Sequence, residues 1–360
     1  MSYLMFVLHK FFYPLYGFIV SFFVREKKME SPIDFVVLWL DDSDPEWQKS
    51  KEKYDKTNKD IDDCGRERYR DWDIFRYWFR SVEMYAPWVN KVYLVTCGHY
   101  PSWLNMNHPK LVHVKHGDYM DSDCLPTFNS SAIEINIHKI ESLQEHFVLF
   151  NDDMFLNNLV SPQDFFRNGM PVCCNVASSL CNAPKNELFL HNLFGMIGLM
   201  NGYDLNKRIE THPEKWFSYK LGIDLRFNLE TYIHGYLSGF FYAHIAQGMR
   251  KSTMAKVWEN YRPLMERTSR HRFRVYTDIT QWIFTLFEIV NGTYIPASRH
   301  YSGIYRRIEN LVDIKKDLQN SKIKQICLND TSSAKNFEMI KENIIKLFED
   351  KFPNKCSFEI

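Results

Sequence analysis

The apolar run Phe147-Val148-Leu149-Phe150 ends in Asn151-Asp152-Asp153, and Met154-Phe155-Leu156 resume the apolar pattern at once. Adjacent carboxylates delivered by such a segment must be solvated, paired or bound to a cation. Mg2+ (or Mn2+) takes one or two carboxylates together with water and phosphate oxygens, which makes Asp152 and Asp153 candidate metal ligands; the plainer reading is a solvated turn. A second acidic cluster, Trp39-Leu40-Asp41-Asp42-Ser43-Asp44-Pro45, also follows an apolar run. Asp41 and Asp44 could hold a nucleotide while Trp39 stacks on its base. Ser43 or Asp44 would equally cap a helix with Pro45 in its first position, and both readings can hold together.

Other residues offer proton transfer or positive charge. Ser130, Glu134 and His138 fall four apart and would share one face of a helix, although Ser131 and Glu134 also have the spacing of a capping box. Arg76 and Arg80 are four apart on an aromatic helix; an arginine there could grip a phosphate with two parallel donors, or pair with Glu83 or Asp73 at the surface. Arg270, Arg272 and Arg274 form a basic run, with Asp278 four residues beyond Arg274. His244 sits among aromatics; it reads as a core histidine or as a base for a hydroxyl proton.

The elements that must position these groups alternate. Residues 34–40, 91–96, 111–114 and 147–151 are strand-like, and 75–82 and 130–143 are helix-like, with Phe75, Trp78, Phe79 and Val82, and then Ile133, Ile137 and Ile140, at helical spacing. The charged stretch 51–69 reads as a surface excursion. Residues 321–329 are one more strand, and Asn336–Phe352 an amphipathic helix stopped by Pro353. The class is α/β: a Rossmann-like, mostly parallel sheet with flanking helices and a helical insertion or subdomain. The expected divisions are an N-terminal apolar helix (1–30), an α/β core carrying both acidic clusters (31–170), a mostly helical region completing the site (171–300) and a segment returning to the core (301–360). Ligands of such sheets gather beyond the carboxyl ends of the strands, where both acidic clusters lie.

The chain has 360 residues, 45% of them hydrophobic, enough for a large core, and 45 basic against 44 acidic groups leave no global field for nucleic acid. Its eight cysteines include no CxxC pair, which disfavours a zinc site or disulfide framework and fits a reducing compartment. The N-terminal apolar stretch, Phe11 to Val24, is short for a span and interrupted by Pro14 and Gly17; Arg25, Lys27 and Lys28 follow. It reads either as a peripheral anchor on an anionic membrane surface or as a helix packed on its own domain. No signal-peptide cleavage site follows it, so the expected location is cytoplasmic, peripheral at the inner face of the membrane if the anchor reading holds.

Four blocks, in order, resemble the Stealth family of sugar-phosphate transferases, which includes bacterial capsule and exopolysaccharide phosphotransferases and the catalytic subunit of the animal N-acetylglucosamine-1-phosphotransferase. They are residues 33–47, then Tyr69 to Leu156 with "RSVE", "PSWL", "SSAIE" and "NDD", then roughly 191–290, then "ICLND" and the C-terminal segment. The resemblance departs at Cys97, where relatives often carry Asn. It implies active-site roles for Arg80, Ser130, Glu134 and Asp153, and, by looser matching, for His244 and Arg274, with Arg272 as competitor for the last. It further implies transfer of hexose-1-phosphate from a UDP-sugar to a sugar hydroxyl of an oligosaccharide or polysaccharide, with release of UMP and with Mg2+ or Mn2+ at the diphosphate. A metal-dependent glycosyltransferase releasing UDP, or a non-catalytic glycan-binding protein at a membrane surface, would use many of the same residue types.

Overall fold

The computed structural model describes residues 3–55, 69–178, 187–299, 301, 303–330 and 336–360. Most of the expected 51–69 excursion therefore lies outside the described residues, as do Cys64 and Cys181; among those described, no cysteine is paired.

The central sheet has the order β3-β2-β1-β4-β8, built from β1 (Ile33–Leu38), β2 (Val92–Thr96), β3 (Leu111–Lys115), β4 (His146–Phe150) and β8 (Gln247–Arg250). The first four are parallel, with Phe35 opposite Val92 and Val36 opposite Leu149; β8 runs antiparallel to β4. Both faces of β1 are buried, as its nearly continuous apolar sequence requires. Side-chain alternation divides the core. Val36, Tyr93, Val95, Phe147 and Leu149 face the helices of the 188–291 region. Phe35, Val37, Leu94, Val148 and Phe150 face the opposite layer, which includes residues 75–82 and the C-terminal helices over 311–319 and 337–351. The expected α/β class with a largely parallel sheet is what forms.

The remaining strands are β5 (Met154–Leu156), β6 (Phe166–Arg167), β7 (Met170–Cys174), β9 (Ile295–Ala297), β10 (Gly303–Arg307) and β11 (Gln325–Asn329), which make the small sheets β10-β11-β5 and β6-β7-β9. The helices are α1 (Tyr3–Ser21), α2 (Pro45–Asp55), α3 (Phe75–Tyr85), α4 (Ser130–Glu134), α5 (Pro162–Phe165), α6 (Leu188–Met200), α7 (Leu205–Thr211), α8 (Pro213–Trp216), α9 (Leu225–His234), α10 (Lys251–Asn260), α11 (Arg262–Arg270), α12 (Trp282–Asn291), α13 (Leu311–Gln319) and α14 (Phe337–Lys351).

Two expectations are corrected here. The helix anticipated over 130–143 ends at Glu134, because the Asn136 side chain donates to the Ala132 carbonyl at 2.8 Å and displaces the backbone bond that would continue it. Ser130 and Glu134 stay together in α4, whereas His138 falls in a separate turn against Trp258. Nor is there a Ser131–Glu134 capping box: Asn129 caps α4, accepting from Ser131 N at 3.0 Å.

Arg80 is the second correction. Its guanidinium donates to both Glu359 oxygens, at 2.6 and 2.8 Å, and to the Phe352 carbonyl at 2.7 Å. The pair is nearly enclosed and fastens the C-terminal segment to α3, aided by bonds from Asn105 N to Phe358 O and from Ile360 N to Trp103 O. Arg76, one turn earlier, lies over the Trp103 ring and pairs with no acid among the described residues. Removing one member of a buried ion pair strands the other, at a cost on the order of 3 kcal/mol. Glu359→Ala is therefore expected to lower the melting temperature by several degrees, with Arg80→Ala giving a similar loss and the double variant less than the sum; additive losses in a double-mutant cycle would contradict the clamp.

Candidate active site

The carboxyl ends of β1, β2 and β4 open into a cavity of about 240 Å³. This is the crevice beside β1, where the sheet reverses its strand order. From β1 come Leu38, Trp39 and Leu40; from β2, Val95 and Cys97; from β4, Asn151, Asp152 and Asp153. Ser130 and Ile133 of α4 and the loop residues His244 and Arg274 complete the wall.

Asp153 is held on all sides. The chain turns from β4 into β5 through a bond from Met154 N to Asn151 O. β11 pairs with β5, and Leu328 N donates to the Asp153 carbonyl at 2.8 Å. The Cys327 thiol donates to Asp153 Oδ2 at 3.3 Å, and His244 Nε2 lies 3.9 Å from the same oxygen. Asp153 Oδ1 and Asn151 Oδ1 are buried without a partner among the described residues.

Asp152 is open to the cavity, yet protein walls surround it. That enclosure, with the charges of Asp153 and Asp71, raises its carboxyl to about 8. Asp71 is raised to about 6 by burial, with carboxylates also near it. Oxygen donors gathered in one enclosed space, with the carboxyls of Asp152 and Asp71 raised by burial first and by neighbouring charge second, fit a hard divalent cation. Ligand atoms of Asp153, His244 and Cys327 lie within 4.8 Å of one another. Burial and the neighbouring Asp153 hold the Cys327 thiol well above its ordinary value, in keeping with its hydrogen bond to Asp153 Oδ2.

On the opposite wall Arg274 Nη2 donates to Ser130 Oγ at 2.7 Å. Glu134 is buried near Arg274, and its desolvated carboxyl rises to about 7 even though the guanidinium opposes the shift. Arg272 instead donates to the Pro126 carbonyl and covers Tyr54, so Arg274 is the arginine that reaches the cavity. Asp278 does not pair with Arg274: it binds His271 at 2.6 Å, Asn129 and the Val275 amide.

Trp39 lines the cavity, stacked 5.5 Å from Phe75, with its indole N–H buried and unpartnered. Asp41 and Asp44 do not line it. Asp41 accepts from Ser43 N and Oγ, and Asp44 caps α2 through Trp47 N at 2.7 Å, with Pro45 at the first helical position. Thus the structure gathers Trp39, Ser130, Asp152, Asp153, His244 and Arg274, sets Glu134 behind them, and leaves Arg80, Asp41 and Asp44 outside.

Sequence reasoning missed Asp71 and the pair Arg70–Asp330. Arg70 Nε and Nη2 donate to Asp330 at 2.7 and 2.5 Å, and Trp72 Nε1 donates at 3.1 Å. Their signals were the acidic end of "ICLND" and the alternation in Arg70-Asp71-Trp72-Asp73, which precedes α3.

Paired carboxylates and an unmatched acid oxygen at strand ends, with a histidine beside them, are the donor types that a hard divalent cation takes. Residues 31–59 match the model of Stealth conserved region 1, and residues 68–173 that of Stealth conserved region 2. The chain is 40% identical to the capsular polysaccharide phosphotransferase WcwK of Streptococcus pneumoniae, over 92% of this chain and 99% of that one. It is 36% identical to the receptor polysaccharide phosphotransferase WefC of Streptococcus gordonii, over 92% of this chain and 100% of the relative. A crystal structure of the galactosyltransferase LgtC with donor and acceptor sugar analogues aligns with 87% of this chain and 96% of its own, at a TM-score of 0.35 and 7% identity. The chain belongs to the Stealth family and is a phosphotransferase.

Glu134 gives a pH test. Its carboxyl, ordinarily near 4.5, holds its proton to about 7 in the folded protein, so the folded state binds that proton more tightly than the unfolded chain. The associated stability is full below the ordinary value and is lost as pH rises through about 7. Melting temperatures measured from about pH 5 to pH 8 should fall more steeply for wild type than for Glu134→Gln; parallel profiles would contradict the assignment.

Proposed function

We propose that this chain transfers hexose-1-phosphate, N-acetylhexosamine-1-phosphate in particular, from a UDP-sugar to a sugar hydroxyl of an oligosaccharide or polysaccharide. The product is a phosphodiester within a capsular or extracellular polysaccharide, and UMP is released. The observation that carries this reading is the one cavity shared by Asp152, Asp153, His244 and Arg274, with Asp153 Oδ1 lacking a partner among the described residues. The relatives' named activity on polysaccharides supports it.

In this reading the nucleoside lies against Trp39, under the turn that Asp41 and Asp44 shape. Asp152 and Asp153 hold Mg2+ or Mn2+, which when bound neutralises charge on the diphosphate oxygens. Arg274, oriented by Ser130 and by Glu134 behind it, faces the β-phosphoryl oxygens. The acceptor hydroxyl oxygen attacks the β-phosphorus and its proton passes to His244 Nε2. The new P–O bond forms as the bond between the β-phosphorus and the departing UMP oxygen breaks. Asp153 Oδ2, 3.9 Å from His244 Nε2, stabilises the imidazolium that results. Arg80, consumed by Glu359, has no step here. On the acceptor side, Tyr305 meets His244 edge-on at 5.9 Å and is 42% exposed, so it offers an aromatic face to a sugar ring.

The test is ³¹P NMR of protein incubated with UDP-sugars, Mg2+ and acceptor oligosaccharides. UMP and a new phosphodiester resonance are expected; UDP without a phosphodiester would mean attack at carbon and would overturn the proposal. Asp153→Ala should lower turnover about a thousandfold or more, and His244→Ala by about a hundredfold or more, each with the fold retained by circular dichroism. Tyr305→Ala should raise the acceptor KM severalfold at unchanged donor KM.

A further inference from the structure

The first helix is built inside out. Its inward side carries Lys10, Tyr13, Gly17 and Ser21, repeating every three or four residues. Gly17 sits so close to α8 that a Cβ there would lie 2.3 Å from the Pro213 carbonyl oxygen. Ser21 Oγ accepts from Tyr219 N at 3.0 Å, and Lys10 Nζ donates to the Tyr232 carbonyl at 2.6 Å. The outward side carries Leu8, Phe11, Phe12, Leu15, Ile19 and Phe22, at the same spacing and between 49% and 70% exposed. A helix lying on its own domain in water shows the opposite arrangement.

The apolar surface continues past the helix. Phe22 stacks on Tyr219 at 4.4 Å, and Ile223, raised on the turn at Gly222, is 78% exposed. Phe23 and Val24 are exposed as well, and the exposed cations Arg25, Lys27 and Lys28 follow directly. The acid among them, Glu26, is already matched by Arg167 and Lys220; Glu30 is exposed further on. None of the described helices is long and apolar enough to cross a membrane.

We propose that this face docks on an anionic lipid bilayer, with α1 lying in the plane of the headgroup–acyl boundary and Arg25, Lys27 and Lys28 on the lipid phosphates. An apolar stripe beside a cationic cluster is the pattern of interfacial helices. A second copy of the chain fits the face less well, because its own apolar stripe would leave Arg25, Lys27 and Lys28 without the counter-charge that lipid phosphates supply. The fixed contacts of α1 with α8 make the docked helix part of the helical region that also supplies His244 and Arg274 to the cavity.

The test is flotation of the full-length protein with vesicles of phosphatidylcholine plus phosphatidylglycerol and with vesicles of phosphatidylcholine alone. Wild type should float with the first and bind the second, or the first at high salt, about tenfold less. Phe11→Ser/Leu15→Ser should abolish flotation while circular dichroism and melting temperature are retained. Lys27→Glu/Lys28→Glu, beyond the helix and therefore neutral to its packing, should weaken binding to the anionic vesicles about tenfold. Wild type that stays at the bottom of the gradient with both compositions would overturn the proposal. So would a wild-type dimer that the Phe11→Ser/Leu15→Ser change dissociates with no change in flotation.

Discussion

Enclosure of carboxylates within the walls of one cavity is the constraint around which this molecule is arranged. Asp71, Asp152 and Asp153 line one space; burial first, and neighbouring carboxylates second, raise the carboxyls of Asp71 and Asp152 to about 6 and 8. Such a cluster destabilises the fold unless something fixes it and something neutralises it. Fixing falls to β11, which binds the backbone of Asp153 through Leu328 and its side chain through Cys327. Of the guanidiniums nearby, Arg70 is matched by Asp330 and Arg274 donates to Ser130. The positive charge still wanted at Asp153 Oδ1 is what a divalent ion carries.

Seen from this constraint, the distant parts of the chain have defined tasks. The parallel strands bring Trp39 and the Asn151–Asp153 turn to one edge, and the 188–291 region shares a core with the sheet through Val36, Tyr93 and Phe147. From the loops of the helical region come His244 and Arg274, with the Arg274 guanidinium bonded across to α4. The Arg80–Glu359 pair ties the last residues of the chain to α3, whose Phe75 backs Trp39 in the cavity wall. An ion pair outside the site thereby supports the helix that backs it.

Much of the scaffold was legible in the sequence because it rests on local pattern. The strand runs, the spacing of Phe75, Trp78, Phe79 and Val82, and the Asp44–Pro45 helix start each depend on neighbours within a few residues. What escaped depends on side chains meeting across long separations. Nothing near Arg80 in sequence announces Glu359, 279 residues away, and nothing near Arg70 announces Asp330. The ending of α4 turned on one amide, Asn136, competing for a backbone carbonyl, a choice that periodicity does not register. Arg274 was a looser match, with Arg272 as its competitor, and the Pro126 carbonyl takes Arg272 while Arg274 lines the cavity.

The central claim is that the Asp153 cluster is a divalent-cation site made of protein oxygens. Its most direct test is a calorimetric titration of Mn2+ into the wild-type protein and into Asp153→Asn, repeated in buffers of different ionisation enthalpy. A single tight ion that displaces protons near neutral pH from wild type, and no such binding by the variant, is the predicted result. Equal binding by both proteins, or binding that displaces no protons, would contradict it.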